Sequence, residues 1–165
     1  VLFAGISTLF VFVMSLFLGY GFSSYTEIGI VFSDLEYLLA YFVKLLGFFS
    51  FCLFLGVLIK RSAFALGSLF LWFIFEKISY GILKFNIYNK NPKVDDVYAF
   101  MPLESMSNLL IEPFTRLSSV KNLQEAVGEN SIKDYDVHLS SVLIVLVWTA
   151  IFVYSSYIII KKRDL

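Results

Sequence analysis

Charge is scarce in this chain. Asp, Glu, Lys and Arg make up 16% of its 165 residues, against about 25% in an ordinary soluble domain. There is one cysteine, Cys52, so an intramolecular disulfide framework is excluded. There is one histidine, His138, and neither a His-Glu-x-x-His run nor a cysteine pair, so the ligands of a zinc site are missing. The chain also lacks the Gly-x-x-x-x-Gly-Lys-Ser/Thr loop that cradles nucleotide phosphates and the Gly-x-Ser-x-Gly turn that presents a nucleophilic serine. Carboxylates at Asp95-Asp96 and at Asp134 with Asp136 read as exposed loop faces. The expectation is therefore a protein without catalytic residues, metal or cofactor. Formal net charge is +0, which gives no electrostatic basis for binding nucleic acid.

What the chain has in excess is apolar surface. Hydrophobic residues reach 59%, and the mean hydropathy is +0.81. A small soluble domain still exposes roughly a third of its surface, so this composition needs lipid as its solvent. Four stretches approach the ~20 residues that a helix needs to cross the hydrocarbon core. They run over 1–22, 35–59, 63–83 and 139–160. The first and last carry no charge, the second carries one in its interior, Lys44, and the third carries Glu76 and Lys77. Helices are expected because lipid cannot satisfy free backbone groups and the two-residue alternation of a barrel is missing. The fold class is an all-α membrane protein: four transmembrane helices, with short amphipathic external helices before the last span. No basic stretch precedes the first apolar run, so that run reads as a span and not as a signal peptide.

Basic residues in short connections set the orientation. Lys60 and Arg61 lie between the second and third spans, and Lys161, Lys162 and Arg163 follow the fourth. An even number of crossings separates the two clusters, so both can be cytoplasmic, with the C-terminus inside. The connection carrying Glu27, Asp34 and Glu36 and the long segment 84–138 are then external. Within that segment, Asn86 to Val97 is polar and reads as turns, whereas Leu103, Met106, Leu110, Phe114 and Leu117 recur at helical spacing. Pro102 suits the first turn of a helix and Pro113 should break one. These short helices are expected at the outer membrane surface, with a further one over Leu123 to Val127.

A charge near the centre of a span costs about 2.5–3.5 kcal/mol and needs a partner or a purpose. At 1.5 Å per residue, Lys44 lies ~13 Å and Glu76 ~10 Å below the outer face. The short turn between their spans makes them antiparallel neighbours, so an intramembrane ion pair between Lys44 and Glu76 is expected. Lys77 can extend its stem toward the outer headgroups. Small residues such as Gly47, Ser50 and Gly56, or the Ala63–Gly67 pair, mark packing surfaces.

The run Gly56-Val57-Leu58-Ile59-Lys60-Arg61-Ser62-Ala63-Phe64-Ala65 resembles the cytoplasmic turn between the fourth and fifth helices of type-2 ATP-binding-cassette transporter permeases. Trp148 through Tyr154-Ser155-Ser156-Tyr157 to Lys161-Lys162-Arg163-Asp164-Leu165 looks like the last helix and basic tail of that family, and the segment with Pro102 and Pro113 is similar to its external helices. The resemblance implies one permease domain over 1–165, a fragment lacking the first two helices. It also implies a second permease subunit in a homo- or heterodimer, and a separate ATP-binding subunit on the cytoplasmic side of a bacterial inner membrane. Function by resemblance is export of an amphipathic or polymeric substrate, with ATP hydrolysis in the partner and no enzyme activity in this chain. The competing expectation is a non-transporting membrane scaffold or assembly protein.

Overall fold

The structure, a computed structural model, describes residues 1–22, 35–59, 62–87, 93–110 and 136–163. Four long helices are present: α1 (Leu2–Phe22), α2 (Leu35–Ile59), α3 (Ser62–Ile82) and α6 (Leu139–Arg163). Each is long and apolar enough to cross a membrane. Two short helices, α4 (Lys93–Tyr98) and α5 (Pro102–Asn108), stand between α3 and α6. A π-helical turn, Leu83–Ile87, prolongs α3.

The bundle is built around α2, whose most extensive contact is with α6; α1, α3 and α5 also pack on it. Its core holds Ala40, Phe51, Leu55, Met106, Leu109, Val145 and Phe152. Side chains of α5 and α6 press closely on α2 at Gly47. A Cβ there would lie 2.9 Å from Val145 Cγ1 and 3.1 Å from Met106 Cε, so a larger residue would have to displace those side chains of α6 and α5. Gly56 and Gly67 meet nothing within 4 Å; the expected packing of the Ala63–Gly67 pair has no counterpart among the described residues. Hydroxyls along the spans turn back on their own helices. Thr8 donates to Ala4 O, Ser50 to Gly47 O and Ser156 to Phe152 O, at 2.8, 2.7 and 2.7 Å, which satisfies them without water. Large apolar side chains such as Phe3, Phe17, Phe70 and Leu71 face outward, as lipid requires.

One feature of topology follows directly from a contact. The Arg163 guanidinium, in the last turn of α6, donates to Val57 O and to Leu58 O, the latter at 3.0 Å. These are among the last carbonyls of α2, which no intrahelical donor can reach. The C-terminal basic cluster and the end of α2 therefore lie at one end of the bundle. Lys60 and Arg61 lie outside the described residues, as do the acidic stretch over 27–34, Pro113, Phe114, Leu117, the helix expected over Leu123 to Val127, and Asp134.

Two local expectations change. The stretch read as turns up to Val97 contains helix α4, because Val94 and Tyr98, one helical turn apart, are both buried; this tertiary burial outweighs the turn preference of the neighbouring Asp95 and Asp96. The fourth span continues to Arg163, placing all three basic residues in its last turn, where they complement the negative end of the helix dipole.

Candidate functional site: a short helix held at membrane depth

Helix α5 begins where the sequence places it, with Pro102 at the first helical position. Its N-cap residue is Met101, whose side chain makes no capping hydrogen bond. The first backbone N–H groups of a helix have no partner inside it, and Pro102 has none to offer. Leu103 and Glu104 do, and both donate to Glu76 on α3. Leu103 N lies 3.1 Å from Oε1, and Glu104 N lies 3.2 Å from Oε2. Trp72, one turn earlier on α3, donates its indole N–H to Oε1 at 2.8 Å. Glu76 is 2% exposed. A carboxylate from one span thus caps a helix elsewhere in the chain.

Carbonyls flanking this element are met in the same way. Trp148 on α6 donates to Phe100 O at 2.9 Å, and Lys44 on α2 donates to Leu110 O at 3.2 Å. Ser105 N reaches Met101 O at 2.7 Å, and its hydroxyl reaches Pro102 O at 2.9 Å. Helix rise puts Glu76 ~21 Å from the basic end of α3, with Lys44 and Trp148 each ~22 Å from the basic ends of their own spans. Three spans therefore present polar side chains at one level, inside a hydrocarbon layer about 30 Å thick. Non-helical backbone at such depth is tolerated only where protein satisfies it. Helix α5, expected at the outer membrane surface, packs against α2, α3 and α6, with Pro102, Ser105 and Met106 buried. An amphipathic stripe alone suggested a helix resting on the surface.

Charges and rings complete the arrangement. Lys77 Nζ pairs with Glu104 Oε2 at 3.0 Å and stands 5.7 Å from the Phe73 ring centre and 5.4 Å from that of Tyr98, contacts that suit a cation in a low-dielectric layer. Tyr98 is 5% exposed, and its ring lies 4.6 Å from that of Tyr80. Its hydroxyl has no hydrogen-bond partner among the described residues. Burial pushes the Tyr98 phenol above its ordinary value, the Glu104 carboxylate adds to the rise, and the Lys77 ammonium opposes it. Below the short helix, an aromatic chain runs from Trp72 to Phe51 (5.6 Å), Phe152 (4.9 Å) and Trp148 (5.4 Å). Trp72, which bonds Glu76, and Trp148, which bonds Phe100 O, are thus linked through the core of the bundle.

Lys44 and Glu76, expected to pair, line one cavity of about 390 Å³ between α2, α3 and α5. The contacts described above give each of them a bond to the α5 segment. Trp148 and Trp72 were not among the expected site residues. Their signal was present nonetheless: an indole N–H that deep in a span needs an acceptor.

The profile of the ABC-2 family transporter protein matches residues 1–165. The chain belongs to that family. No curated protein and no solved structure matches it. As an ABC-2 family protein it is a membrane component of the permease type, of a family whose members are membrane subunits and generally not catalytic themselves. Four apolar helices agree with that identity.

Proposed function

We propose that this ABC-2 family chain is the permease subunit of an ATP-driven exporter, contributing part of the path for an amphipathic or polymeric substrate. The observation that carries the reading is the family match along the whole of residues 1–165. Transport requires two states of a helix bundle, biased by an external energy source. The chain has no phosphate-binding loop, so that energy comes from an ATP-binding subunit. Its docking end is the one bearing Lys60, Arg61, Lys161, Lys162 and Arg163, which lies in the cytoplasm of a bacterial inner membrane by the charge bias of short connections. A second permease subunit, identical or not, closes the path opposite. Lys44 and Glu76 act as an electrostatic pair across the cavity beside α5, and α5 is the part that moves when the path opens outward.

The test is co-purification. The tagged chain, expressed with the ATP-binding protein encoded beside it, should bring that protein down in stoichiometric amount and raise its ATP hydrolysis. A chain that purifies alone and leaves hydrolysis unchanged is a scaffold, and the permease proposal fails.

A further inference from the structure

Helix α5 stands between two charges of opposite sign that belong to different spans. Glu76 on α3 accepts the amides of Leu103 and Glu104, at 3.1 and 3.2 Å, at one end of the element. Lys44 on α2 donates to Leu110 O, at 3.2 Å, just past the other end. Each charge meets the backbone group it needs, since a carboxylate only accepts hydrogen bonds and an ammonium only donates them. Both residues lie at one level, ~21–22 Å from the basic ends of their spans. Those spans pack on each other, and both side chains line the same cavity of about 390 Å³.

We infer that α5 is a removable bridge between these charges, and that Lys44 and Glu76 form a direct ion pair when it leaves. Withdrawal of α5 takes two donors from Glu76 and one acceptor from Lys44 in a single step. A charge stripped of its partners at membrane depth is costly, so the withdrawn state persists only where the charges find new ones. Packed helices lie about 8–10 Å apart, a gap that a four-carbon lysine stem and a glutamate close from opposite sides. The cavity gives them room to turn toward each other. Lys77 is another cation near Glu76. Its stem leaves α3 about 100° around the helix, and its ammonium stands near the Phe73 and Tyr98 rings. A bridged arrangement and a directly paired one satisfy the same two charges in different ways, and such a choice between discrete packings is what a switch requires. This exchange rests on the reading of α5 as the moving part. It needs neither a cargo nor an ATP-binding subunit, so its tests use the chain alone and a failed co-purification leaves them standing.

The test follows α5 at Ser105, which is 2% exposed. Ser105→Cys, in a Cys52→Ala background, reports withdrawal as reaction with a water-soluble maleimide in detergent. The charge-swapped double variant, Lys44→Glu with Glu76→Lys, keeps the direct pair but sets a donor against the α5 amides and an acceptor against Leu110 O. We expect the double swap to be recovered as folded, monodisperse protein within about twofold of the native yield and to label about tenfold faster. Each single swap should be recovered at about a tenth of that yield or less. A double swap recovered no better than the single swaps overturns the proposal, and so does labelling at the native rate. Recovery that is lost on adding Lys77→Gln makes Lys77 the partner and overturns it too. A second measurement does not depend on the swap. A maleimide at position 105 takes more room than the buried serine and holds α5 away. In protein labelled to completion, Lys44→Met and Glu76→Gln should be coupled about tenfold more strongly in the unfolding constant than in unlabelled protein. Equal coupling in the two forms overturns the proposal. So does a folded native chain that never labels, since α5 then has no second position.

Discussion

Glu76 accepts the backbone N–H of Leu103 at 3.1 Å, although 27 residues separate them, and this bond fixes where α5 begins and how deep it sits. The usual cap is a side chain at the helix's own first residue. Met101 cannot supply one, so the cap comes from α3. Anything that alters the Glu76 carboxylate should therefore be felt at α5, and α3 itself should remain a helix.

Glu76→Ala removes acceptors from two backbone amides and from the Trp72 indole. Hydrogen bonds to a charged group contribute about 1.5–3 kcal/mol each, in part offset by relaxation. We expect a loss of about 2–4 kcal/mol in thermal unfolding in detergent, with Glu76→Gln losing less because one carbonyl oxygen persists. A cysteine at Ser107, in a Cys52→Ala background, should label faster in both variants. Unchanged labelling would show that α5 is held by packing alone.

Trp148→Phe keeps the ring over Phe152 but leaves Phe100 O without its donor. The cost should be about 1–2 kcal/mol, measured by the same melt. It should combine non-additively with Glu76→Ala, since both hold one element.

Gly47→Ala tests the tight contact of α2 with the Val145 and Met106 side chains. Alanine is the better helix former by up to about 1 kcal/mol, yet at Gly47 its methyl meets Val145 and Met106. We expect a net loss of about 1–3 kcal/mol there, and a neutral or slightly favourable effect for Gly56→Ala and Gly67→Ala, where nothing lies within 4 Å. A ranking in the other order would deny the close contact of α2, α5 and α6.

The Tyr98 hydroxyl is buried with no hydrogen-bond partner among the described residues, so Tyr98→Phe should raise stability, by up to about 1–3 kcal/mol. The pH dependence has a definite sign. The folded phenol titrates above its unfolded value, so the folded state favours the neutral form. That contribution is complete below the unfolded value near 10 and is lost as pH rises through the higher folded value. Melting temperature should fall above about pH 10 in the native chain and fall less in Tyr98→Phe.

Reporter fusions check the orientation. A reporter inserted after Lys60 and one fused after Leu165 should register on the same side of the membrane, the cytoplasm, while one placed within the segment between α3 and α6 should register outside. Opposite sides for the first two would break the topology.

Much of the architecture was readable without coordinates. Span number and length follow from runs of apolar residues, because only a helix can satisfy its backbone in lipid. That the C-terminal basic cluster lies beside the end of α2 agrees with counting crossings, and the start of α5 follows from Pro102. The helix α4 was not readable, because Asp95 and Asp96 favour a turn and only the burial of Val94 and Tyr98 reverses that preference.

The candidate site divides in the same manner. That Lys44 and Glu76 demanded partners was evident from the solvation cost of a charge in hydrocarbon, a property of each residue alone. Which groups answer that demand was settled by assembly. Gly47 leaves room for the Val145 and Met106 side chains, α5 packs beside Trp148 and Glu76, and its unpaired amides and flanking carbonyls arrive within their reach. Solvation energy is local and can be read residue by residue; the partner of a buried polar group depends on contacts between segments tens of residues apart, which arise only when the helices pack.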